Sequence, residues 1–151
     1  LGDVYKRQIQ VGVYFYSGAS NAREAYDEAS YCISLIRDYQ ITYPVAFDWE
    51  LDGDYDSVTE ACETFCNVIS SYGYQPMVYS NRNRWYNNFD GEKIASKYKV
   101  WMAAYFGKFY YDSVRWTYGD DLPNFRYHYD MWQLFYKLAA ILCLRYTHLM
   151  S

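Results

Sequence analysis

The strongest constraint on the fold is a short apolar run that ends on two acids, within residues 43–50. Positions 45–47 contain no polar residue, which is typical of a strand covered on both faces, as the strands of parallel α/β sheets are. Asp48 and Glu50 come next, with one residue between them. Because side chains alternate along a strand, the two acids are expected on one face, about 6.6 Å apart.

Two carboxyl groups held this close predict a particular chemistry. Like charges at short range cannot both ionise without cost, so the pKa of one of the two is expected to rise. A carboxylic acid beside a carboxylate is the arrangement that cleaves glycosidic bonds. The alternative is a solvated strand end, where acidic residues are common. The sugar-site interpretation therefore depends on what the rest of the chain places around the acids.

Aromatic side chains could supply those surroundings. They make up 23% of the 151 residues, with 21 Tyr and 5 Trp. Rings with a polar group suit a wet surface that binds sugars, whose C–H faces are apolar. A Tyr-rich core and surface without a ligand is the alternative. The net charge of −4 and the lack of a basic run argue against nucleic acid, and the longest apolar run, residues 138–144, is too short to span a membrane.

The residue types that bind metals lack the spacing of known metal sites. Cys62 and Cys66 are four apart on a predicted helix, without a C-x-x-C pair or a matching His spacing. Buried free thiols are the favoured interpretation, and a disulfide such as Cys32 with Cys62 stays open. The alternating acids of residues 52–56 do not fit the register of a calcium loop. No metal and no cofactor are therefore predicted.

The rest of the chain alternates between strand and helix patterns. Asn21 with Glu24 predicts a helix start, Ser57 with Glu60 predicts a capping box, and Gly73 predicts a left-handed helix stop. Strands are predicted at 9–16, 43–50, 76–80, 100–105 and 127–133, helices at 22–39, from 57 up to 73 and at 90–98, and loops at 81–86 and 106–126. This order predicts one α/β domain with mostly parallel strands. A full barrel needs about 250 residues, so the fold is expected to be a reduced or incomplete (β/α) TIM-like barrel.

In closed sheets of this kind the site lies at the carboxyl ends of the strands. Besides Asp48 and Glu50, the predicted strand ends carry four aromatic residues, namely Tyr16, Tyr79, Tyr105 and Trp132. Two acids ringed by aromatic side chains predict a sugar-binding cleft. Each aromatic residue has an alternative interpretation as packing in the core or at the rim.

Five short motifs occur along the chain in an order that is typical of one protein family. They are residues 12–16 (Gly-Val-Tyr-Phe-Tyr), 43–50 (Tyr-Pro-Val-Ala-Phe-Asp-Trp-Glu), 77–80 (Met-Val-Tyr-Ser), 100–105 (Val-Trp-Met-Ala-Ala-Tyr) and 129–133 (Tyr-Asp-Met-Trp-Gln). Together they resemble the glycoside hydrolase family 25 lysozymes, which are muramidases that cut peptidoglycan. Phe15 stands where the family usually has His. Five ordered motifs are far more specific than one Asp-x-Glu.

The resemblance implies roles for the predicted site residues. Glu50 would protonate the glycosidic oxygen between N-acetylmuramic acid and N-acetylglucosamine. Asp48 would support the substrate's acetamido group as that group attacks the anomeric carbon, so that the configuration is retained. The sugar subsites would be lined by Tyr16, Tyr79, Tyr105 and Trp132. The family further implies a monomer that acts on peptidoglycan glycan strands, outside the cell or at the cell wall.

The two ends of the chain depart from the family pattern. Residues 1–8 fit no family motif and are expected to be an artefactual leader, and residues 134–151 are expected to be a non-family tail. Residues 9–133 would then be a partial glycoside hydrolase catalytic domain, truncated at both ends. The family's terminal active-site aspartates are not found, which leaves the activity of this fragment open.

Three other interpretations stand beside the muramidase. Residues 47–50 also resemble the end of the acidic motif of family 18 chitinases, but Tyr43 and Ala46 replace two of its acids. A non-catalytic glycan-binding module would use the same aromatic cleft without proton transfer. A packed domain with incidental acids would turn Asp48 and Glu50 away from any cleft.

Overall fold

The computed structural model describes residues 10–104 and 124–133, together with the backbone of residues 142–145. The strands are β1 (Val13–Ser17), β2 (Val45–Trp49), β3 (Pro76–Asn81), β4 (Lys99–Ala103), β5 (Met131–Gln133) and β6 (Leu142–Arg145), and the helices are α1 (Ala22–Ile36), α2 (Tyr55–Ser71), α3 (Arg82–Asn87) and α4 (Gly91–Lys97). Strands and helices alternate along most of this order, as the sequence pattern predicts.

The six strands form one sheet in the order β5-β4-β3-β2-β1-β6, and every neighbouring pair is parallel. Parallel neighbours cannot be joined by hairpins, so helices lie in the crossovers. The predicted α/β fold with mostly parallel strands is confirmed. Closure into a barrel stays a prediction, because β5 and β6 end the described sheet on its two sides. Within the described part of the chain, no helix is long and apolar enough to cross a bilayer.

Helices α1 and α2 cover one face of the sheet with the larger core. Phe65 of α2 packs on Phe15 of β1 and on Phe47 of β2, with ring centroids 5.7 Å and 5.0 Å apart. All three rings are fully buried. Val45 and Ala46 are also buried, although their side chains point to opposite faces of β2. This confirms that the apolar run of β2 is covered on both faces.

Three cysteines lie in the same core as free, buried thiols: Cys32 on α1, and Cys62 and Cys66 on α2. Burial raises the pKa of Cys32 to about 12 and holds the pKa of Cys62 well above its ordinary value. The predicted buried free thiols are confirmed for these three, and no disulfide joins Cys32 to Cys62. The side chain of Cys143 lies outside the described residues.

Two local predictions are wrong. Helix α2 begins at Tyr55, because the carboxylate of Asp54 accepts hydrogen bonds from the Ser57 backbone N–H at 3.0 Å and from Ser57 Oγ at 2.9 Å. Ser57 is therefore not the capping residue. Helix α3 occupies part of the predicted loop 81–86, with the Asn81 side chain capping it.

Other element boundaries are shifted. Strand β5 covers only Met131–Gln133 of the predicted 127–133, and β6 lies within the predicted tail, where it pairs with β1. The Asn21 cap of α1 is confirmed, since its side chain accepts from the Glu24 backbone N–H at 3.0 Å.

Replacement of Gly73 by Ala is expected to lower the free energy of unfolding by about 1 kcal/mol. Gly73 ends α2 with a φ of 83°, and a Cβ added there would meet nothing within 4 Å. The cost therefore arises from the left-handed backbone alone. Urea denaturation would measure it, and Gly73→Asn should cost less, because Asn tolerates this region. Equal losses for Ala and Asn would contradict the backbone explanation.

Candidate active site

The acids lie on the face of the sheet opposite the helices, and strand register brings aromatic residues beside them. Asp48 on β2 is the Cα partner of Tyr16 on β1 and of Tyr79 on β3. Tyr79 is in turn the Cα partner of Trp101 on β4. Trp101 is the Cα partner of Met131 on β5. Because partners in register share a face, this row of side chains runs across the sheet with Asp48 near its middle.

Asp48 is buried and lacks full hydrogen bonding. Its exposed fraction is 5%, and its Oδ1 atom has no hydrogen-bond partner among the described residues. Burial, followed by the negative charge of Glu50, raises the pKa of Asp48 from 3.8 to about 8. At neutral pH the substrate-free site therefore holds a proton on Asp48. The prediction that one pKa of the pair rises is met by Asp48.

Glu50 is the more accessible of the two acids. It lies one residue past the end of β2 and is partly exposed. The influence of its charge on the pKa of Asp48 indicates that the two carboxyl groups are close in space. The raised pKa belongs to Asp48, whereas the family resemblance implies Glu50 as the proton donor.

An aromatic cluster extends from the acids along the same face. Trp101 packs edge-on against Tyr79 and Tyr14, with ring centroids 4.8 Å and 6.4 Å away. Tyr16 is partly exposed, whereas Tyr79 is 7% exposed and Trp101 6%. Tyr14 and Trp101 were missed as site residues from sequence. Tyr14 lies two positions before Tyr16, and Trp101 four positions before the predicted site residue Tyr105; this even spacing on predicted strands is the signal that could have placed both on the site face.

Of the two remaining predicted aromatic residues, Trp132 does not join this cluster. Trp132 is the Cα partner of Met102 and packs against the helix-side core, with its Nε1 donating to the Ala104 carbonyl at 3.1 Å. Its neighbours Met131 and Gln133 share the face of the acids instead. Tyr105 lies outside the described residues. Of the four predicted aromatic residues, the structure therefore gathers Tyr16 and Tyr79 around Asp48.

The turn after β1 is fixed beneath the site by a buried carboxyl group. Glu28 of α1 accepts hydrogen bonds from Ser17 Oγ at 2.5 Å and from the Gly18 backbone N–H at 2.9 Å. Trp49 Nε1 donates to the Ala19 carbonyl of the same turn at 3.2 Å. Burial raises the pKa of Glu28, and its hydrogen bonds oppose that effect. The contacts tie α1 and the β1–α1 turn to the residue that separates the two acids.

A metal centre has no support in the described residues. No group of three or more His, Cys, Asp or Glu side chains there is arranged to hold a metal ion. Of the acids that follow β2, Asp54 caps α2 and Asp52 lies 3.4 Å from Arg84 Nη1. Asp48 and Glu50 are groups that can transfer protons and stabilise developing positive charge.

Known proteins with similar sequences also include glycoside hydrolases. The model of the glycosyl hydrolases family 25 matches residues 2–134. A D-alanyl-L-alanine endopeptidase of Streptococcus phage B30 is 33% identical over 115 residues, which are 70% of this chain and 26% of that protein. The lysozyme of Streptococcus phage Cp-1 is 30% identical over 100 residues, 63% of this chain and 29% of that protein.

A solved structure supports the match. The modular Cpl-1 endolysin, in a complex with a peptidoglycan analogue, has a TM-score of 0.59 at 26% identity, over 82% of this chain and 36% of that chain. The chain spans less than a third of the length of either curated relative. The family model nevertheless extends over most of the chain, with the acid pair at the carboxyl end of β2 inside the match. This chain belongs to glycosyl hydrolase family 25.

Proposed function

We propose that the chain is the core of a peptidoglycan hydrolase that cuts the β-1,4 bond between N-acetylmuramic acid and N-acetylglucosamine. The observation that carries the proposal is the acid pair of a family 25 chain, with Asp48 buried beside a partly exposed Glu50. The lysozyme among its relatives and the endolysin bound to a peptidoglycan analogue support this substrate class.

Glu50 is the proposed proton donor to the leaving glycosidic oxygen. It is the acid that a substrate can reach, because it lies past the end of β2 and is partly exposed. Asp48 is too deeply buried for that task, and is proposed to face the acetamido group of the N-acetylmuramic acid. The group's oxygen would attack the anomeric carbon while Glu50 protonates the leaving oxygen, and water would then complete hydrolysis with retention.

The proposed division of roles requires the proton that Asp48 holds in the free chain to pass to Glu50 before Glu50 protonates the leaving oxygen. Burial and the charge of Glu50 raise the pKa of Asp48 to about 8, so Asp48 holds that proton at neutral pH before substrate binds. Two neighbouring carboxyl groups that share one proton titrate as a unit, so the proton is available to the pair. Tyr16 and Tyr79, on either side of Asp48, are proposed to contact the sugar rings.

The oligomeric state, location and domain bounds of the chain are part of the same proposal. The chain is proposed to act as a monomer on glycan strands of the cell wall, and hence outside the cytoplasm or at the wall. The net charge of −4 argues against nucleic acid as a partner. Residues 9–133 are proposed to be the catalytic part, between a leader at 1–8 and a non-family tail at 134–151.

Product analysis would test the proposed reaction. The full chain is incubated with purified peptidoglycan, the products are reduced with borohydride, and the new ends are identified by mass spectrometry. A muramidase gives N-acetylmuramitol ends. N-acetylglucosaminitol ends would contradict the bond assignment, and free amino groups without new reducing ends would indicate an endopeptidase. Glycan binding without any new end would favour the non-catalytic module.

A further inference from the structure

The segment that carries Glu50 is held on both sides by hydrogen bonds from β3 and α3. Ser80 Oγ donates to the Trp49 carbonyl at 2.9 Å, and Arg84 Nη1 donates to the Leu51 carbonyl at 3.0 Å. These two carbonyl groups belong to the residues immediately before and after Glu50. A backbone fixed at both neighbours leaves mainly the side-chain torsions of Glu50 free, so the two bonds limit where its carboxyl group can lie.

Arg84 makes further contacts with the same segment. Its Cζ lies 5.9 Å from the centroid of the Trp49 ring, a distance at which a guanidinium is attracted to the ring face. Nη1 also lies 3.4 Å from Asp52 Oδ1. The Nε atom is buried and has no hydrogen-bond partner in the part of the chain that the structure describes. A buried N–H without a partner is costly, which indicates that the contacts with Trp49 and Leu51 hold the guanidinium in place.

The Trp49 ring forms the base on which this segment rests. A Cβ at Gly53 would lie 3.2 Å from Trp49 Cζ2 and 2.8 Å from Val58 Cγ2, so the chain after Glu50 folds tightly over the ring. Trp49 itself is 1% exposed. The ring, the guanidinium of Arg84 and the returning chain therefore form one packed unit around the backbone on either side of Glu50.

We propose that Arg84 is a positioning residue, which sets the Glu50 carboxyl group beside Asp48 by holding the Trp49–Leu51 segment from α3. The consequence for catalysis rests on the proposed function, but the positioning itself exists without substrate. Arg84 has no direct part in proton transfer. Its ion pair with Asp52 contributes little to stability, because the side chain of Asp52 is 96% exposed.

The positioning can be measured without any activity. The Glu50 charge is the second cause of the raised pKa of Asp48, after burial, so the pKa of Asp48 reports how close Glu50 lies. In full chain labelled with ¹³C-aspartate, Arg84→Gln is expected to lower the pKa of Asp48 by about one pH unit, a small effect for a neighbouring charge. Ser80→Ala, which removes the bond on the other side, should lower it too. Arg84→Lys keeps a cation of similar reach, so the pKa of Asp48 in this variant should lie between the values in Arg84→Gln and in the parent.

Arg82→Gln is the matched control, because Arg82 is an exposed arginine two positions away on the same helix. It removes the same charge and should leave the pKa of Asp48 unchanged. The proposal is overturned if the pKa of Asp48 in Arg84→Gln equals that of the parent, whatever Ser80→Ala shows. It is also overturned if Arg82→Gln shifts the titration as much as Arg84→Gln, since the effect would then be one of net charge.

Kinetics supply the second readout. On soluble peptidoglycan oligosaccharides, Arg84→Gln is expected to lower kcat about 10- to 100-fold, as misplacement of a catalytic group does, with KM nearly unchanged. Arg82→Gln should match the parent. If no variant and no parent cleaves the substrate, the proposed function fails while the titration still decides the positioning. If the parent cleaves it and Arg84→Gln keeps the parental kcat, the positioning role is contradicted.

Discussion

Replacing Glu50 by Gln is expected to lower kcat for peptidoglycan hydrolysis at least about a hundredfold, the size of effect that one general acid has. Gln has nearly the same shape as Glu, but it cannot release a proton. KM should change little, because the substrate loses no large contact. Stability should be nearly unaffected, since Glu50 is partly exposed and lies outside the hydrogen-bonded part of β2.

The measurement is a rate of release of reducing ends from peptidoglycan, normalised to folded protein by circular dichroism. Glu60→Gln is a matched control, because Glu60 is an exposed glutamate on α2, away from the acid-bearing face. It should retain the parental rate. Should Glu50→Gln hydrolyse walls as fast as the parent, Glu50 would not be the proton donor, and the glycan-binding module would become the better interpretation if binding persists.

The strand that carries the acids could be predicted because its signals are local. An apolar run of three residues followed by Asp48 and Glu50 determines a covered strand and places both acids on one face through alternation alone. Helix α1 could be predicted for the same reason, since the Asn21 cap and the helical spacing of the apolar residues after it both indicate a helix that begins at residue 22. The order of strands and helices then indicated a parallel sheet. These predictions require no knowledge of which strands are neighbours.

The surroundings of the acids depend on register, which a single sequence does not contain. A shift of one residue moves a side chain to the other face of a strand. The structure pairs Trp101 with Met131 and thereby puts Trp132 on the helix side, although Trp132 is next to last in β5 and so lies nearer its strand end than Tyr79, which is third from last in β3. The same pairing places Trp101 in the aromatic row. Proximity to a strand end was therefore insufficient to choose the site aromatics.

Helix α3 was missed for a different reason. Its six residues are too few to display a helical period, and Asn81 begins it where the sequence has a run of polar residues typical of a loop. The contact of Arg84 with Leu51 spans 33 positions, so no local pattern could reveal it. The hydrogen bond from Arg84 to the Leu51 carbonyl, next to Glu50, therefore comes from α3, the helix that the sequence pattern did not predict.

The stability of the chain should carry a pH dependence that belongs to Asp48. In the folded chain its pKa is raised from 3.8 to about 8, first by burial and then by the charge of Glu50. Between these two pH values the unfolded chain has an ionised Asp48 while the folded chain keeps the proton. The unfolded state then binds fewer protons, so stability falls as pH rises from about 4 to about 8 and the loss is complete above the folded pKa.

Asp48→Asn removes this dependence and keeps the size of the side chain. Below pH 4 the carboxyl group is protonated in both states, so the parent and Asp48→Asn should have similar free energies of unfolding. Above pH 8 the variant should be the more stable, by a difference on the order of 5 kcal/mol, since each pH unit between the two pKa values corresponds to about 1.4 kcal/mol.

Urea denaturation of both proteins from pH 4 to pH 9 measures the difference directly. Subtracting the two curves cancels the contributions of groups that both proteins share, including the raised pKa of Glu28. Asp38→Asn serves as the control, because Asp38 is an exposed aspartate whose side chain is 84% exposed, and its difference from the parent should stay flat. If the difference for Asp48→Asn is equally flat, Asp48 ionises freely in the folded chain. Asp48 would then hold no proton at neutral pH, and the proposed division of roles between Asp48 and Glu50 would lose its electrostatic basis.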